Sequence, residues 1–225
     1  MKKIIIAIDG PAGSGKTTTA RELARRLSYI YIDTGAMYRA VTLYWLRSSE
    51  ELSEDVICRQ MNDIEISLKL EDGHQITLLN GEDVSKDIRL PEVSKFVSPV
   101  SAIGCVRSKL VSMQRELGSK GGVVLDGRDI GTVVFPQAEL KIYLVASIEA
   151  RAKRRALELN NSGISATDEE LVEQIQKRDH FDSSRDHSPL RKADDAIEID
   201  TSDITIEQQT EMIFNLAQSK IQETY

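Results

Sequence analysis

Gly10-Pro11-Ala12-Gly13-Ser14-Gly15-Lys16-Thr17 follows the apolar run Ile4 to Ile8 and opens a helical pattern carried by Ala20, Leu23, Ala24 and Leu27. The spacing G-x-x-x-x-G-K-[ST] between a strand and a helix has a defined physical use. Its glycines let backbone N–H groups turn inward around a polyphosphate, and the helix presents its positive N-terminal end to the same anion. Lys16 is then expected to reach the β- and γ-phosphates as a point charge, and the Thr17 hydroxyl to complete a Mg²⁺ shell. A nucleoside triphosphate is the first ligand to expect. A glycine-rich turn that binds nothing is the bland alternative, and the strand before the loop and the helix after it argue against that reading.

Working outward, 225 residues with 40% hydrophobic content bury a real core in one domain with insertions. The formal net charge of -7 argues against a general affinity for nucleic-acid backbones, so locally clustered arginines are expected to serve a small phosphorylated ligand. The two cysteines, Cys58 and Cys105, are far apart in sequence and lack metal-ligand spacing, which suggests free thiols in a reducing compartment. Met-Lys-Lys and the short apolar run ending at Asp9 are too short for a membrane span or a signal segment. A cytoplasmic protein is expected, with no membrane or nucleic-acid partner.

Short apolar runs at Ile4 to Ile8, Tyr29 to Ile32, Val123 to Leu125, Ile142 to Val145 and Ala196 to Ile199 alternate with longer periodic segments. That alternation points to a parallel sheet covered by helices on both faces. A last helix is expected from about Thr205, where Thr205 and Gln208 match a capping box, with Ile206, Ile213, Leu216, Ala217 and Ile221 along its apolar stripe.

Two segments depart from this pattern. Ile64, Ile66, Leu68 and Leu70 alternate with polar residues, Asp72-Gly73 supplies a hairpin turn, a second run follows from Gln75 to Leu79, and Asn80-Gly81 marks another turn. This predicts a small antiparallel sheet between the second and third parallel strands, either a substrate-holding insert or a plain hairpin with one solvated face. Further on, Arg151, Lys153, Arg154 and Arg155 lead a helix into the loop Asn160-Asn161-Ser162-Gly163, and Thr167 with Glu170 caps a second helix. Arg178, Asp182 and Arg185 share a face if that helix persists. A surface ion pair worth under about 1 kcal/mol is the ordinary reading of Arg178 with Asp182. Beside a phosphate loop, such arginines suit phosphoryl transfer, where charge must be neutralised in a water-poor site.

Two strand-end clusters complete the picture. Asp33-Thr34-Gly35-Ala36-Met37-Tyr38-Arg39 follows the second strand, where an α/β sheet places ligand-facing loops, and Asp126-Gly127-Arg128-Asp129 follows the third. Asp126 has the position expected of a carboxylate near Mg²⁺ and its waters, and Arg128 that of a phosphate ligand.

The stretches Ile8-Asp9-Gly10 through Lys16, Asp33 through Arg39, Asp126-Gly127-Arg128-Asp129-Ile130-Gly131-Thr132-Val133-Val134-Phe135-Pro136, and Arg178-Asp179 through Asp182-Ser183 to Arg185 occur in order along the chain. Together they resemble the bacterial cytidylate kinases, nucleoside monophosphate kinases that act on CMP and dCMP. The resemblance covers nearly the whole chain. It implies an α/β P-loop kinase fold with a central parallel five-stranded sheet, helices on both faces, an antiparallel NMP-binding insert and a short helical lid. Residues 1–225 would form one kinase domain, with an NMP-binding region at about 35–105, its insert at about 63–88, and the lid at about 149–190.

Carried over position by position, the resemblance implies that Gly10, Pro11, Ala12, Gly13, Ser14, Gly15, Lys16, Thr17 and Thr18 bind ATP, helped by one or more of Arg151, Arg154 and Arg155. It implies that Thr34, Arg39, Ser98, Arg107, Arg128, Asp129, Arg178, Asp182 and Arg185 contact the monophosphate. Arg39 and Arg128 fall on its α-phosphate, Arg178 and Asp182 toward the sugar, and Ser98, Arg107, Asp129 and Arg185 around the base. Lys16, Arg128, Arg178 and Arg185 would carry catalysis, with Thr17 and Asp126 near Mg²⁺, partly through water. The expected reaction is transfer of the ATP γ-phosphoryl to CMP or dCMP by a monomer. Another P-loop small-molecule kinase, such as one acting on shikimate, would have no reason to carry both the hairpin and Gly127-Arg128-Asp129. A nucleotide-operated switch that reads guanine should carry an N-K-x-D motif, which the sequence lacks.

Overall fold

The computed structural model describes residues 3–71, 74–161, 163 and 166–223. Its strands, in chain order, are β1 (Ile5–Asp9), β2 (Ile30–Asp33), β3 (Ile66–Glu71), β4 (His74–Leu79), β5 (Glu82–Asp83), β6 (Val123–Gly127), β7 (Leu140–Val145) and β8 (Ile197–Asp200). The helices are α1 (Lys16–Leu27), α2 (Thr34–Ser48), α3 (Glu54–Gln60), α4 (Pro91–Ala102), α5 (Gly104–Gly118), α6 (Ile148–Asn161), α7 (Asp168–Ser184) and α8 (Ile206–Glu223). The chain divides into two compact units, Met1–Tyr31 with Lys120–Tyr225, and Ile32–Ser119.

The first unit is built on the five-stranded sheet, ordered β2-β6-β1-β7-β8. β1 pairs in parallel with both β6 and β7, and β7 pairs in parallel with β8. Central strands buried on both faces need apolar residues at successive positions, which is why Ile6, Ala7 and Ile8 run without alternation. Leu23 of α1 and Ile213 and Ala217 of α8 cover one part of this core with Ile4, Val124, Ile142 and Leu144. The last helix starts as its capping box requires. Thr205 N–H donates to Gln208 Oε1 at 2.9 Å, and Gln208 N–H donates to Thr205 Oγ1 at 3.2 Å. α6 and α7 pack through Ala152, Leu171 and Ile175, and Thr167 and Glu170 close the expected capping box on α7. α6 continues through Asn161, so the expected Asn160–Gly163 loop begins later. Gly163 closes onto the helix end at a φ of +72°, and Ser162 lies outside the described residues.

The second unit holds the expected antiparallel sheet, with β3 paired to β4 from Ile66↔Leu79 to Glu71↔His74 and a short third strand, β5, on β4. Asn80 and Gly81 turn with positive φ, as their residue types favour. The Asp72-Gly73 turn lies outside the described residues. Beside this sheet is a helical core of Met37, Val41, Trp45, Ile57, Val97 and Leu110, with Trp45 edge-on to Phe96 at 5.2 Å.

The expectation of two free thiols is overturned. Cys58 of α3 and Cys105 of α5 form a disulfide with a Cα–Cα distance of 5.8 Å. Their sequence separation of 47 hid this, because packing of α3 against α5, not local spacing, brings them together. No described helix is long and apolar enough to cross a membrane.

Candidate active site

In the first unit, the loops that leave β1, β6, β7 and β8 gather at the carboxyl ends of the parallel strands, where open α/β sheets bind ligands. Gly10 takes a φ of +146°, and a Cβ there would lie 2.1 Å from the Leu144 carbonyl oxygen, so only glycine lets the loop leave β1 this close to β7. Gly15 precedes α1 with a φ of +89°.

Side chains tie the loop's carbonyls in succession. Lys16 Nζ donates to Pro11 O at 2.6 Å, Arg151 Nη1 to Ala12 O at 3.4 Å, Arg154 Nη1 to Gly13 O at 3.1 Å, and Thr201 Oγ1 to Ser14 O at 3.0 Å. These bonds fix the loop's backbone, as an anion nest of backbone N–H groups requires. Arg151 also pairs with Asp179 at 2.6 Å and so links the loop to α7. Arg155 is not drawn to the loop. It lies on an exposed pair with Glu158 at 2.9 Å, one turn along α6, and α6 aims only Arg151 and Arg154 at the phosphate loop.

Thr17 Oγ1 donates to Asp126 Oδ2 at 2.9 Å, which unites the first turn of α1 with the end of β6. Tyr31 donates from its hydroxyl to Asp126 Oδ1 at 2.8 Å. Tyr31 reads in sequence only as a strand residue, and nothing local marks its role. A hydroxyl and one carboxylate are hard oxygen donors of the type Mg²⁺ takes alongside substrate phosphates and water. Among the described residues no group of three or more acidic, His or Cys side chains could hold a metal ion.

Beyond β6, Arg128 Nε donates to Asp182 Oδ2 at 2.8 Å, and Arg178 approaches the same oxygen at 3.9 Å. Burial raises the Asp182 carboxyl, but Arg128, Arg178 and Arg185 overcome it and hold its pKa below the usual carboxylate range. The pair is therefore not the solvated surface bridge that charge spacing alone allows, since the Asp182 side chain is only 4% exposed. Arg185 differs from the sequence expectation. α7 ends at Ser184, and Arg185 is extended, with its N–H on Phe181 O at 3.2 Å and Nε on Ser188 O at 2.8 Å. The chain turns back ahead of Pro189, and Leu190 N–H returns to Asp182 O at 2.7 Å. Arg185, as the residue that caps the end of α7, remains buried beside the Asp182 charge.

The cations crowd one another. Burial, and then the nearby Arg128 charge, push Arg178 down to about 10. The same two causes hold Lys16 well below the usual lysine range against the pull of Asp126. A polyanion placed among these three groups relieves their repulsion. Asp129 is buried and is followed by a wide helical turn at Ile130–Val134. Asp9, at the end of β1, accepts from Ile130 N–H at 2.8 Å and Gly131 N–H at 2.7 Å.

The second unit holds the remaining expected site residues. Asp33 caps α2 through Ala36 N–H at 2.9 Å, which fixes buried Thr34 at the helix start. Arg39, further along α2, donates to Ile88 O at 3.1 Å and to Ser94 Oγ of α4 at 2.8 Å. Ser98 follows Ser94 by one turn of α4. Arg107 of α5 is buried, donates to Ser101 O at 3.2 Å and lies over the Tyr38 ring at 5.4 Å.

A phosphate loop on β1, a hydroxyl–carboxylate pair and an arginine cluster around the buried Asp182 at one end of a parallel sheet define a P-loop phosphotransferase. The family model described as cytidylate kinase matches residues 6–219, and the chain belongs to that family. It is 53% identical over 215 residues to a cytidylate kinase of Parabacteroides distasonis, covering 93% of this chain and 94% of that one. It is 51% identical over 217 residues to a cytidylate kinase of Caldicellulosiruptor bescii, covering 96% of each. Among solved structures, an uncharacterized protein from Eubacterium ventriosum shares the fold at a TM-score of 0.53 and 13% identity, over 96% of this chain and 99% of that one.

Proposed function

We propose that this chain, an ATP-dependent kinase by family, transfers the ATP γ-phosphoryl to the phosphate of CMP or dCMP, giving ADP and CDP or dCDP. The observation that carries this reading is the gathering of cations at the strand ends that bear the phosphate loop: Arg128 on Asp182 at 2.8 Å, Arg178 at 3.9 Å from the same carboxylate, and buried Lys16, where burial and the Arg128 charge depress Lys16 and Arg178 and so favour an anionic ligand. Gly10 to Thr18 hold the ATP phosphates, with Arg151 and Arg154 bracing the loop. Thr17 and Asp126 would hold Mg²⁺, which supplies Lewis-acid neutralisation of the β- and γ-oxygens when bound.

On the acceptor side, Arg128 and Arg39 bind the α-phosphate, Asp182 and Arg178 the sugar, and Asp129, Arg185, Ser98 and Arg107 the base, with Thr34 beside them. Support within each unit is structural: Asp182 orients Arg128, and Ser94 orients Arg39 one helical turn from Ser98. The attacking phosphate oxygen is already anionic at neutral pH, so no general base is required. The chain's own residues position the two phosphates in line and neutralise the charge spread over the transferring group.

Asp129 is the residue that selects the base. Cytosine carries an N4 amino donor where uracil carries an O4 acceptor, and a carboxylate accepts from the first and repels the second. The net charge of -7 supports small-molecule substrates over nucleic acid, and we read the chain as a cytoplasmic monomer.

The deciding experiment is coupled ADP release with CMP, dCMP, UMP, shikimate or no acceptor. Release should depend on added CMP. Equal release without acceptor would favour a nucleotide-operated switch, and dependence on shikimate alone would favour another small-molecule kinase.

A further inference from the structure

Asp9 is the last residue of β1, immediately before Gly10 opens the phosphate loop. Its carboxylate is buried and spends both oxygens on the turn that follows β6. Oδ1 accepts from Ile130 N–H at 2.8 Å and Oδ2 from Gly131 N–H at 2.7 Å. These are the two amides that follow Asp129. The Asp129 carbonyl, in turn, accepts from Val133 N–H at 2.9 Å and Val134 N–H at 3.2 Å.

The backbone leaving Asp129 is thus gripped on both sides, by Asp9 on its amide side and by the Ile130–Val134 turn on its carbonyl side. Side-chain direction at Asp129 follows this backbone, which adopts φ -147° and ψ 24° at that residue. Gly131 completes the contact. A Cβ there would meet Lys141 Cδ tightly at 3.1 Å and Asp9 Oδ2 in ordinary contact at 3.4 Å, so only a side chain extending beyond Cβ would crowd the Asp9 bond. Bonds from amides to a carboxylate are charge-assisted and directional, and are suited to fixing a loop to a sheet.

We propose that Asp9 is a positioning residue for acceptor choice, holding the Arg128-Asp129 turn in the orientation from which Asp129 discriminates cytosine from uracil. The role rests on the reading of Asp129 given above. It ties the strand that launches the donor loop to the turn that reads the acceptor, through two hydrogen bonds between residues more than one hundred positions apart. An aspartate in the first motif thereby acts on the second substrate.

The test is a pair of kcat/KM ratios, CMP over UMP, measured for wild type, Asp9→Asn, Asp129→Asn and the double variant. Asparagine keeps the shape of Asp9 but replaces one acceptor oxygen with a donor facing an N–H. Asp9→Asn should narrow the CMP preference about tenfold in the wild-type background, the scale of a misplaced discriminating contact. In the Asp129→Asn background it should leave the ratio nearly unchanged, because the group it positions is gone. KM for ATP should stay near the wild-type value, which separates positioning from general loosening.

Gly131→Val, whose methyls extend from a Cβ already in contact with Asp9 Oδ2 and Lys141, crowds the same bond from the other side, should reproduce the narrowing and serves if Asp9→Asn folds poorly. An Asp129 effect with no effect of Asp9→Asn or Gly131→Val, or equal narrowing in both backgrounds, overturns the positioning role alone. An unchanged ratio in Asp129→Asn overturns the reading of Asp129 and the Asp9 role with it.

Discussion

The Thr17 hydroxyl donates to Asp126 Oδ2 at 2.9 Å, so the residue after the loop lysine and the carboxylate at the end of β6 meet across 109 positions of sequence. With Tyr31 donating to the other oxygen at 2.8 Å, Asp126 is held in orientation through both oxygens. Asp126→Asn keeps the size and one oxygen but removes the charge. The Mg²⁺ concentration for half-maximal activity should rise about tenfold or more, the scale seen when groups that orient or hold a metal are lost. Tyr31→Phe should give a smaller shift in the same direction. A magnesium titration of initial rates checks both, and an unmoved midpoint in Asp126→Asn removes that residue from the metal site.

Lys16 is expected to follow the transferring phosphoryl group. Lys16→Ala should therefore lower kcat by about a hundredfold or more while binding of CMP alone changes little. Single-turnover rates combined with CMP titration by calorimetry separate the two, and near-native turnover would sink the assignment.

The lid arginines differ in surroundings, and their substitutions should differ accordingly. Arg178 and Arg185 both add their charge to Asp182, whereas Lys177 is 72% exposed on a pair with Glu173 and Arg155 is on an exposed pair with Glu158. Arg178→Ala and Arg185→Ala should lower kcat/KM for CMP by about 10²-fold or more, and Lys177→Ala should fall within about twofold of wild type. Arg151→Ala should raise KM for ATP more than Arg155→Ala does, since of these two only Arg151 reaches the loop. Equal small effects across all five positions would return this face to an ordinary solvated one.

Much of this arrangement was legible in the sequence, and the reason is local. A strand followed by a glycine loop and a helix is written in contiguous residues, as are the capping boxes at Thr167 and Thr205. Strands buried on both faces announce themselves as apolar runs, which placed the ends of β1 and β6 and with them Lys16 and Asp126. What stayed hidden depends on packing between distant elements. Cys58 meets Cys105 only because α3 and α5 share a core, and Tyr31 reaches Asp126 from a strand that reads as filler. The position of Arg185 depended on where α7 stops, where the returning chain places Leu190 N–H on Asp182 O, a contact that helical periodicity does not reveal. The spacing of Arg151, Arg154 and Arg155 puts all three on one face of the helix, so it could not show that Arg151 and Arg154 reach the loop while Arg155 pairs with Glu158.

The disulfide gives a stability prediction. Closing a loop of about 47 residues removes unfolded-state entropy worth about 4 kcal/mol at most in the chain-entropy model, with engineered cases often delivering less. Reduction with dithiothreitol, or Cys58→Ser with Cys105→Ser, should lower the unfolding temperature by several degrees. The loss should be confined to stability, with KM for ATP unchanged, since the bond links α3 to α5 and the ATP residues belong to the first unit. Melting curves with and without reductant check it, and coincident curves would show that the bridge adds no stability.

Asp9 gives the pH dependence. Burial raises its carboxyl to about 7, assisted by the Asp129 charge, while the amides of Gly131 and Ile130 and the Lys16 ammonium pull the other way. An unfolded aspartate titrates near the ordinary value of 3.8. A carboxyl whose folded pKa lies above its unfolded one binds more protons folded than unfolded between the two values. Its contribution to stability is complete below about 3.8 and is lost as pH rises toward about 7. Asp182, with a lowered pKa, works in the opposite sense, and its contribution is lost as pH falls through its folded value. The two are separated by difference. Urea unfolding of wild type and Asp9→Asn should show a stability gap that shifts steadily against wild type from about pH 4 to about pH 7, then levels off. The substituted asparagine does not titrate, so other groups cancel in the difference unless they touch this position. A gap that instead stays nearly level over that window would mean that the Ile130 and Gly131 amides outweigh burial and keep Asp9 ionised throughout.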